Sequence, residues 1–270
     1  MPTVQELYAE IWGKPDPDFE AAVTGSLHPR GADGLYDLFA WLSPAPDDLV
    51  LDVGGRDATH AVDLARRFGC RVLSLDPVPL HAELARARVA EAGLAERVAV
   101  ETAGIEALPV GDGEAAHVWC HDVLNMVDLP RGLAECVRAL RPGGGMLVYQ
   151  TFGTALLEPN EARRLYAANA IRPENQDPAR FEAIARDVGV AVAEQDVIAS
   201  EWREHWAEAG DRRLLDDLLA VARMMRTEAA LVERFGRARF EAELGGTLWG
   251  VYQMLGKLCP TAYLLRKQGS

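Results

Sequence analysis

The middle of the chain alternates between short apolar runs and amphipathic stretches. Apolar runs predict strands at residues 49–53, 71–76, 97–104, 117–122 and 146–152. Apolar positions at helical spacing predict helices between them, at residues 58–68, 79–93 and 130–140. Strands that alternate with helices of about ten residues are typical of a parallel sheet covered on both faces. The pattern therefore predicts a doubly wound α/β core.

The flanks of this core follow a different pattern. Residues 3–43 contain two helical stretches, and the chain after residue 152 is mostly helical. Two late strands are predicted at residues 192–199 and 259–267, with a long helical region from about residue 211 to residue 255 between them. We expect this region to form a lid over one edge of the sheet. The predicted parts of one continuous domain are an N-terminal helical cap (1–46), the core (47–152) and the remaining sheet with its lid (153–270).

Charge and cysteine content narrow the classes of partner and site. The chain has 28 basic and 41 acidic residues, a formal net charge of −13, which disfavours nucleic acid and anionic membranes as partners. The four cysteines are scattered without a C-x-x-C pair, so we expect neither a disulfide framework nor a metal site. The N-terminus lacks the layout of a secretory signal, and no run of about 18 apolar residues occurs. A cytoplasmic protein is therefore expected.

The first predicted strand ends in a glycine turn that is suited to a ligand. Gly54 and Gly55 permit close backbone approach, and the helix that follows presents free N–H groups. Ligands of open α/β sheets bind at the carboxyl ends of the strands, where an acidic residue such as Asp76 can accept hydrogen bonds from ribose. A dinucleotide fingerprint would also need glycine at two positions that hold Arg56 and Thr59. A nicotinamide cofactor is therefore disfavoured.

Five sequence segments follow one another in a characteristic order, namely VLDVGG, LSLDP, GIEALPVGDG, VWCHDVL and LRPGGGMLVY. In this order they resemble the class I S-adenosylmethionine (SAM)-dependent methyltransferases, especially those that act on small molecules. The resemblance implies a Rossmann-like, seven-stranded, mostly parallel sheet whose last strand is antiparallel. It also implies SAM as cofactor, S-adenosylhomocysteine (SAH) as product and a small-molecule substrate, and it leaves room for a homodimer.

The resemblance also implies cofactor residues by position. In that family the first strand and its turn hold the amino-acid end of SAM, and the acidic end of strand two holds the ribose. The segment after strand three meets the adenine, and the end of strand four lies near the sulfonium. The implied cofactor-binding residues are Asp52, Gly54, Gly55, Arg56, Asp57, Asp76, Pro77, Gly104, Ile105, Glu106, Cys120 and His121. Adenine contacts are expected to be mostly apolar or through the backbone.

The chain departs from the family pattern at several of these positions. Arg56 and Ala58 stand where glycine is usual, Gly104 where an acidic residue is frequent, and Met126 where a histidine is often found. SAM carries no phosphate, so its turn tolerates a side chain better than a dinucleotide turn does. Two orientations of Arg56 are open. Its guanidinium binds the SAM carboxylate, or it turns outward and pairs with Asp63.

Two histidines are the candidate catalytic residues. His121 ends the fourth predicted strand, where a neutral imidazole can take a proton from a nucleophile; the alternative is a half-exposed bystander. His28, in the segment SLHPRG, either reaches the amino-acid end of SAM, as the corresponding segment does in similar methyltransferases, or only caps the next helix. Asp122 is expected to hold the turn after strand four.

Aromatic residues of the predicted lid have two interpretations. Trp202, Trp206, Trp249 and Tyr252 either pack between helices, as aromatics at helical spacing usually do, or line an apolar substrate pocket under the lid.

The expected activity needs no conspicuous catalytic motif. A sulfonium is already activated, so alignment and exclusion of water suffice for methyl transfer. The sequence thus predicts a methyltransferase for a small, largely apolar metabolite with an oxygen, nitrogen or carbon acceptor. The alternative is a protein of this fold that binds SAM or another ligand and catalyses a non-methylating rearrangement or serves as a binding partner.

Overall fold

The computed structural model describes residues 1–268, which form one sheet flanked by helices. The strands are β1 (Leu49–Val53), β2 (Arg71–Asp76), β3 (Val98–Thr102), β4 (Ala115–His121), β5 (Leu140–Gly153), β6 (Val190–Val197) and β7 (Leu258–Lys267). The helices are α1 (Val4–Glu6), α2 (Pro17–Thr24), α3 (Gly34–Ala40), α4 (Thr59–Phe68), α5 (Pro79–Glu91), α6 (Leu129–Ala139), α7 (Pro159–Ala168), α8 (Pro178–Asp187), α9 (Glu201–Glu208), α10 (Arg213–Arg226), α11 (Glu228–Phe235) and α12 (Arg237–Met254). A π-helical turn covers Leu7–Ile11, and a 3-10 turn covers Pro173–Gln176.

The order of the strands creates a crevice beside β1. The sheet order is β3-β2-β1-β4-β5-β7-β6, and β7 is antiparallel to both of its neighbours. The predicted seven-stranded, mostly parallel sheet with an antiparallel last strand is therefore confirmed. The chain reverses its direction of travel across the sheet between the adjacent strands β1 and β4. At such a switch point a crevice opens at the carboxyl ends of the strands.

Apolar side chains cover both faces of the sheet. In β1, Leu51 and Val53 belong to a cluster with residues of α6 and α8, whereas Val50 belongs to a second cluster with residues of α3 and α4. Successive strand residues point to opposite faces, so the two clusters lie on opposite sides of the sheet. These two apolar layers hold the sheet in place and thereby fix the positions of the strand ends that border the crevice.

The predicted helix after β1 begins one residue late. Ala58 adopts a left-handed conformation with φ 59°, so α4 starts at Thr59. The helix ends, as predicted, before Gly69, which has φ 67°. The turn between β1 and α4 is therefore longer and more twisted than the hydrophobic pattern indicates.

The flanking regions differ in how closely they pack. Helices α9–α12 make up the helical region between β6 and β7. Helix α3 packs on the sheet through Leu35, Leu38 and Phe39, whereas α1 and α2 bury no residue, so only α3 covers the core as the expected cap would. Over residues 1–268, no helix has the length and apolarity that crossing a membrane requires.

Candidate cofactor and acceptor site

The turn after β1 is shaped by two glycines. Gly54 has φ 72°, and a Cβ atom there would clash with the Val123 side chain. A Cβ atom at Gly55 would clash with the side chains of Ser74 and Asp52. Both glycine N–H groups donate to the carbonyl oxygen of Leu75, at 2.7 and 3.0 Å. Residues without a side chain are therefore needed at both positions for the turn to lie this close to β2 and to the loop after β4.

Two of the expected cofactor residues are buried, with their side chains away from solvent. Asp52 is 1% exposed and accepts a hydrogen bond from the Ser74 hydroxyl at 2.9 Å. Burial raises the pKa of Asp52 to about 7. Cys120 is fully buried in the core, and burial raises the pKa of its thiol. Asp52 thus packs against Gly55 of the turn, whereas Cys120 belongs to the apolar core.

Asp76 connects the turn to the end of β2. Asp76 is 8% exposed, and its carboxylate accepts hydrogen bonds from the backbone N–H groups of Arg56 at 3.1 Å and Val78 at 2.9 Å. The bond from Arg56 is to Oδ2 and the bond from Val78 is to Oδ1. His81 Nδ1 also lies 2.9 Å from Oδ1. Among the described residues, Oδ2 accepts only the bond from Arg56. That oxygen therefore keeps acceptor capacity for a ligand hydroxyl.

Arg56 and Asp57 differ in how they are bonded. Arg56 has φ 49°, its side chain is exposed, and it makes no ion pair with any residue in the range 1–268, so the expected alternative of a pair with Asp63 is not formed. Asp57 accepts hydrogen bonds from the backbone and hydroxyl of Thr59 and pairs with Arg88 at 2.6 Å. Burial opposes ionisation of Asp57, but these bonds outweigh it and lower its pKa. Its carboxylate thus joins α4 to α5.

A cleft of about 470 Å³ lies at the carboxyl ends of β1, β2 and β4. It is lined by Gly54, Pro77, Gly104, Ile105, Glu106, Ala107, Val123, Met126, Val127, Asp128, Arg131 and Arg172. The first five are expected cofactor residues, brought together from three separate segments. The loop after β4 could have been found from the sequence, because it follows a strand that ends at the same edge. No sequence signal points to Arg172, which comes from the distant loop after α7.

His121, at the end of β4, is part of a stack of rings and is not among the residues that line the cleft. Its ring lies 4.2 Å from that of Tyr149, at an angle of 8°, and 4.8 Å from that of His60. Tyr149 in turn stacks on Trp202 at 5.0 Å. Burial lowers the pKa of His121 to about 3, with a smaller contribution from His60. The imidazole is therefore neutral at physiological pH.

His28 lies apart from these residues. Its side chain is exposed, its backbone has φ 53°, and its N–H donates to the Ser26 hydroxyl. The neighbouring Arg30 pairs with Asp196 at the β6 edge and with Glu201 at the start of α9. His28 does not line the cleft described above.

A smaller cavity of about 210 Å³ adjoins the cleft. It is lined by Asp122, Met126, Asn169, Ile171, Gly246 and Trp249, so Met126 borders both spaces. Asp122 has φ 57° and accepts hydrogen bonds from Asn125 at 2.6 Å and from the backbone and hydroxyl of Thr151 at 3.0 and 3.1 Å. Burial raises the pKa of Asp122 to about 6. Asp122 thus holds the turn after β4 and exposes one edge to the cavity.

The four lid aromatics do not share one pocket. Trp202 packs on Tyr149, and Trp206 lies under the guanidinium groups of two arginines. Trp249 lines the smaller cavity, and Tyr252 borders a different space of about 330 Å³. A larger groove of about 940 Å³ between α10, α11 and α12 contains none of the four. Of these aromatics, Trp249 is the one that lies in the candidate site.

Comparison with known proteins agrees with this geometry. A family model described as a methyltransferase domain matches residues 50–144. The chain is 33% identical over 145 residues to a sarcosine/dimethylglycine N-methyltransferase of Halorhodospira halochloris, covering 51% of each chain. It is 28% identical over 138 residues to a geranyl diphosphate 2-C-methyltransferase of Streptomyces lasalocidi, covering 51% of this chain and 46% of that one. The match thus spans about half the length of these relatives.

Solved structures with the same fold cover most of the chain. Geranyl diphosphate C-methyltransferase from Streptomyces coelicolor A3(2), in complex with Mg²⁺, geranyl diphosphate and SAH, has a TM-score of 0.65 at 17% identity and covers 94% of this chain and 86% of that one. The [4+2]-cyclase SpnF has a TM-score of 0.67 at 19% identity and covers 88% of this chain and 82% of that one. At these identities the similarity shows the fold. The sheet order, the position of the cleft and the match of residues 50–144 to a methyltransferase domain together support the predicted resemblance to the class I SAM-dependent methyltransferases.

Proposed function

We propose that this protein is a SAM-dependent methyltransferase that acts on a small molecule at an oxygen, nitrogen or carbon atom. The observation that carries the proposal is the contact of two spaces at Met126, a cleft at the ends of β1, β2 and β4 and a smaller cavity beside it. A cofactor in the first space and an acceptor in the second would meet at this residue. The net charge of −13 also favours a small-molecule acceptor over nucleic acid.

The residues of the cleft suit SAM. Its volume of about 470 Å³ is within the usual range of small-ligand pockets. Gly54 lines the cleft without a side chain, Asp76 Oδ2 retains acceptor capacity for the ribose, and Ile105 and Val123 give an apolar wall for the adenine. Bound SAM would supply a methyl group on an activated sulfonium.

The remaining residues would align the acceptor and exclude water. Trp249 and Gly246 of α12 form the lid side of the smaller cavity, and Asp122 forms the sheet side. The stack of His60, His121 and Tyr149 fixes the surface at the end of β4. In this proposal His121 positions the reacting groups, because burial lowers the pKa of its imidazole too far for efficient proton transfer near pH 7. Positioning alone can supply a large part of the rate.

Calorimetry with SAM and SAH tests the cofactor site. Asp76→Ala is expected to weaken the binding of both ligands by roughly 10- to 150-fold, the usual value of a hydrogen bond to a charged group. Asp57→Ala is the matched control, since that carboxylate belongs to the same turn but bonds to Thr59 and Arg88. An equal loss in both variants would mean that Asp57 contacts the cofactor. No binding by the wild type at high micromolar concentration would contradict the cofactor proposal.

Arg56→Gly distinguishes the two expected orientations of this side chain. We expect SAM affinity to change by less than about threefold, because an exposed guanidinium without a fixed partner contributes little. Thermal stability should rise slightly, since glycine adopts a φ of 49° without strain. A loss of roughly 10- to 150-fold in calorimetry would instead mean that Arg56 binds the SAM carboxylate.

Binding of SAM would not by itself establish methyl transfer. The neighbouring structure described as a [4+2]-cyclase makes a non-methylating reaction the second candidate. Incubation of the protein with methyl-labelled SAM and fractionated cell extract separates the two. Label in a small-molecule fraction supports the methyltransferase. Label confined to macromolecules would contradict a small acceptor, and SAM binding without any labelled product would favour the second candidate.

A further inference from the structure

Arg203 of α9 is a half-buried guanidinium held on three sides. Its Nε donates to Gln253 Oε1 at 2.9 Å, and Gln253 is itself buried. The guanidinium carbon lies 4.2 Å from the centre of the Trp206 ring. A Cβ atom at Gly250 would lie 3.7 Å from the same carbon. The position of this charge is therefore fixed by α9 and α12 together.

Most hydrogen-bond donors of Arg203 have no protein partner. A guanidinium has five N–H donors, and the bond to Gln253 uses one of them. Within residues 1–268, the two terminal nitrogens make no hydrogen bond and no carboxylate oxygen lies within 4 Å of them. Arg203 is only partly exposed to solvent, and this burial lowers the pKa of its guanidinium. A desolvated guanidinium with unused donors is costly unless an anion pairs with it.

The nearby charged side chains do not supply this anion. Asp122 uses its carboxylate to bind Asn125 and Thr151. Asp217 also faces Gly250, and burial raises its pKa, yet it forms no ion pair with Arg203. Arg213 stacks on the Trp206 ring at 3.8 Å, where its charge is paired with Asp211. Among the charged side chains described in this region, Arg203 thus keeps N–H donors that are available to bind an anion.

Arg203 lies one helical turn from the smaller cavity. Gly246 of α12 lines that cavity, Gly250 faces Arg203, and Gln253 binds it. Residues four apart on a helix share a face and are separated by about 6 Å along its axis. Gly246 is exposed and has no side chain on this face, whereas Gly250 is buried and the Asp217 carboxylate lies beside it. An acceptor that extends from the cavity past Gly246 would bring one end into the vicinity of the guanidinium.

We propose that Arg203 binds an oxyanion of the methyl acceptor, a carboxylate or a phosphate, while Gln253 and Trp206 hold the guanidinium in place. The proposal rests on the methyltransferase function proposed above, and it adds an anionic end to the largely apolar acceptor expected from the sequence. A planar guanidinium with parallel N–H donors suits both anions, because each can accept two bonds at once.

Nitrogen-15 NMR of the full chain, with and without SAH, tests the proposal through the Arg203 Nε–H signal. The probes are sodium acetate and inorganic phosphate, and sodium chloride at equal ionic strength is the control. We expect a saturable shift of this signal with acetate or phosphate and none with chloride. The anion that binds more tightly identifies the class of the acceptor group. Equal shifts with all three salts would overturn the proposal.

Two variants make the test specific. Arg203→Lys should weaken the binding of the preferred anion roughly tenfold or more, because an ammonium lacks the two parallel donors. Asp217→Asn should strengthen the binding of the same anion, because a competing negative charge beside the guanidinium is removed. Unchanged anion affinity in both variants would contradict the proposal. SAM affinity should be the same in wild type and both variants. Anion binding without SAM binding would refute the methyltransferase function while leaving the anion site intact.

Discussion

Gly54→Ala is expected to lower SAM affinity on the order of 100-fold and to destabilise the protein by about 2–4 kcal/mol. The residue has φ 72°, where a side chain is strained, and its Cβ atom would clash with Val123. Gly54 and Val123 both line the cleft, so relief of the clash must move a wall of the cofactor site. Calorimetry with SAM and thermal unfolding measure the two effects.

Gly143→Ala is the matched control for backbone strain. Gly143 has φ 73°, and no atom lies within 4 Å of the position that its Cβ would take. It lies near the start of β5, at the opposite end of the sheet from the cleft. This variant should lose only about 1–2 kcal/mol of stability and no SAM affinity. If both variants bind SAM as well as the wild type, the cofactor does not occupy the turn after β1.

The sequence predicts those residues of the site that lie at the carboxyl ends of the parallel strands. Gly54, Pro77 and Gly104 each follow a strand of a parallel sheet, and the carboxyl ends of such strands meet at one edge. Alternating apolar runs are enough to place these segments, even though α4 begins one residue late. The antiparallel last strand follows from the family resemblance, whereas the complete order of the strands comes from the structure.

Side-chain direction is what the pattern leaves open. Asp52 and Cys120 belong to the correct strands, but both side chains are buried inside the protein. Asp57 was expected to face the cofactor, yet Thr59 and Arg88 engage its carboxylate. Such competition between partners depends on three-dimensional packing. Arg172 is brought to the cleft by a loop that the periodicity of the chain does not describe.

His121 tests how this site achieves its rate. His121→Phe is expected to keep kcat within about tenfold of the wild type, because phenylalanine preserves the stack between His60 and Tyr149. His121→Ala should lower kcat by roughly 10²-fold, since loss of the ring lets the reacting groups shift. SAM affinity should change little in either variant. The measurement is methyl transfer from labelled SAM under saturating conditions.

The pH dependence separates positioning from proton transfer at His121. A general base works best when its pKa lies near the working pH, whereas burial lowers the pKa of His121 to about 3. His121 is therefore protonated only at a pH below the range of an ordinary assay. We expect no loss of kcat/KM from this group between pH 5 and pH 8. If His121→Phe instead lost roughly 10²- to 10⁴-fold with SAM affinity intact, His121 would be the base. A neutral ring that only stacks can be replaced by another ring, and a base cannot.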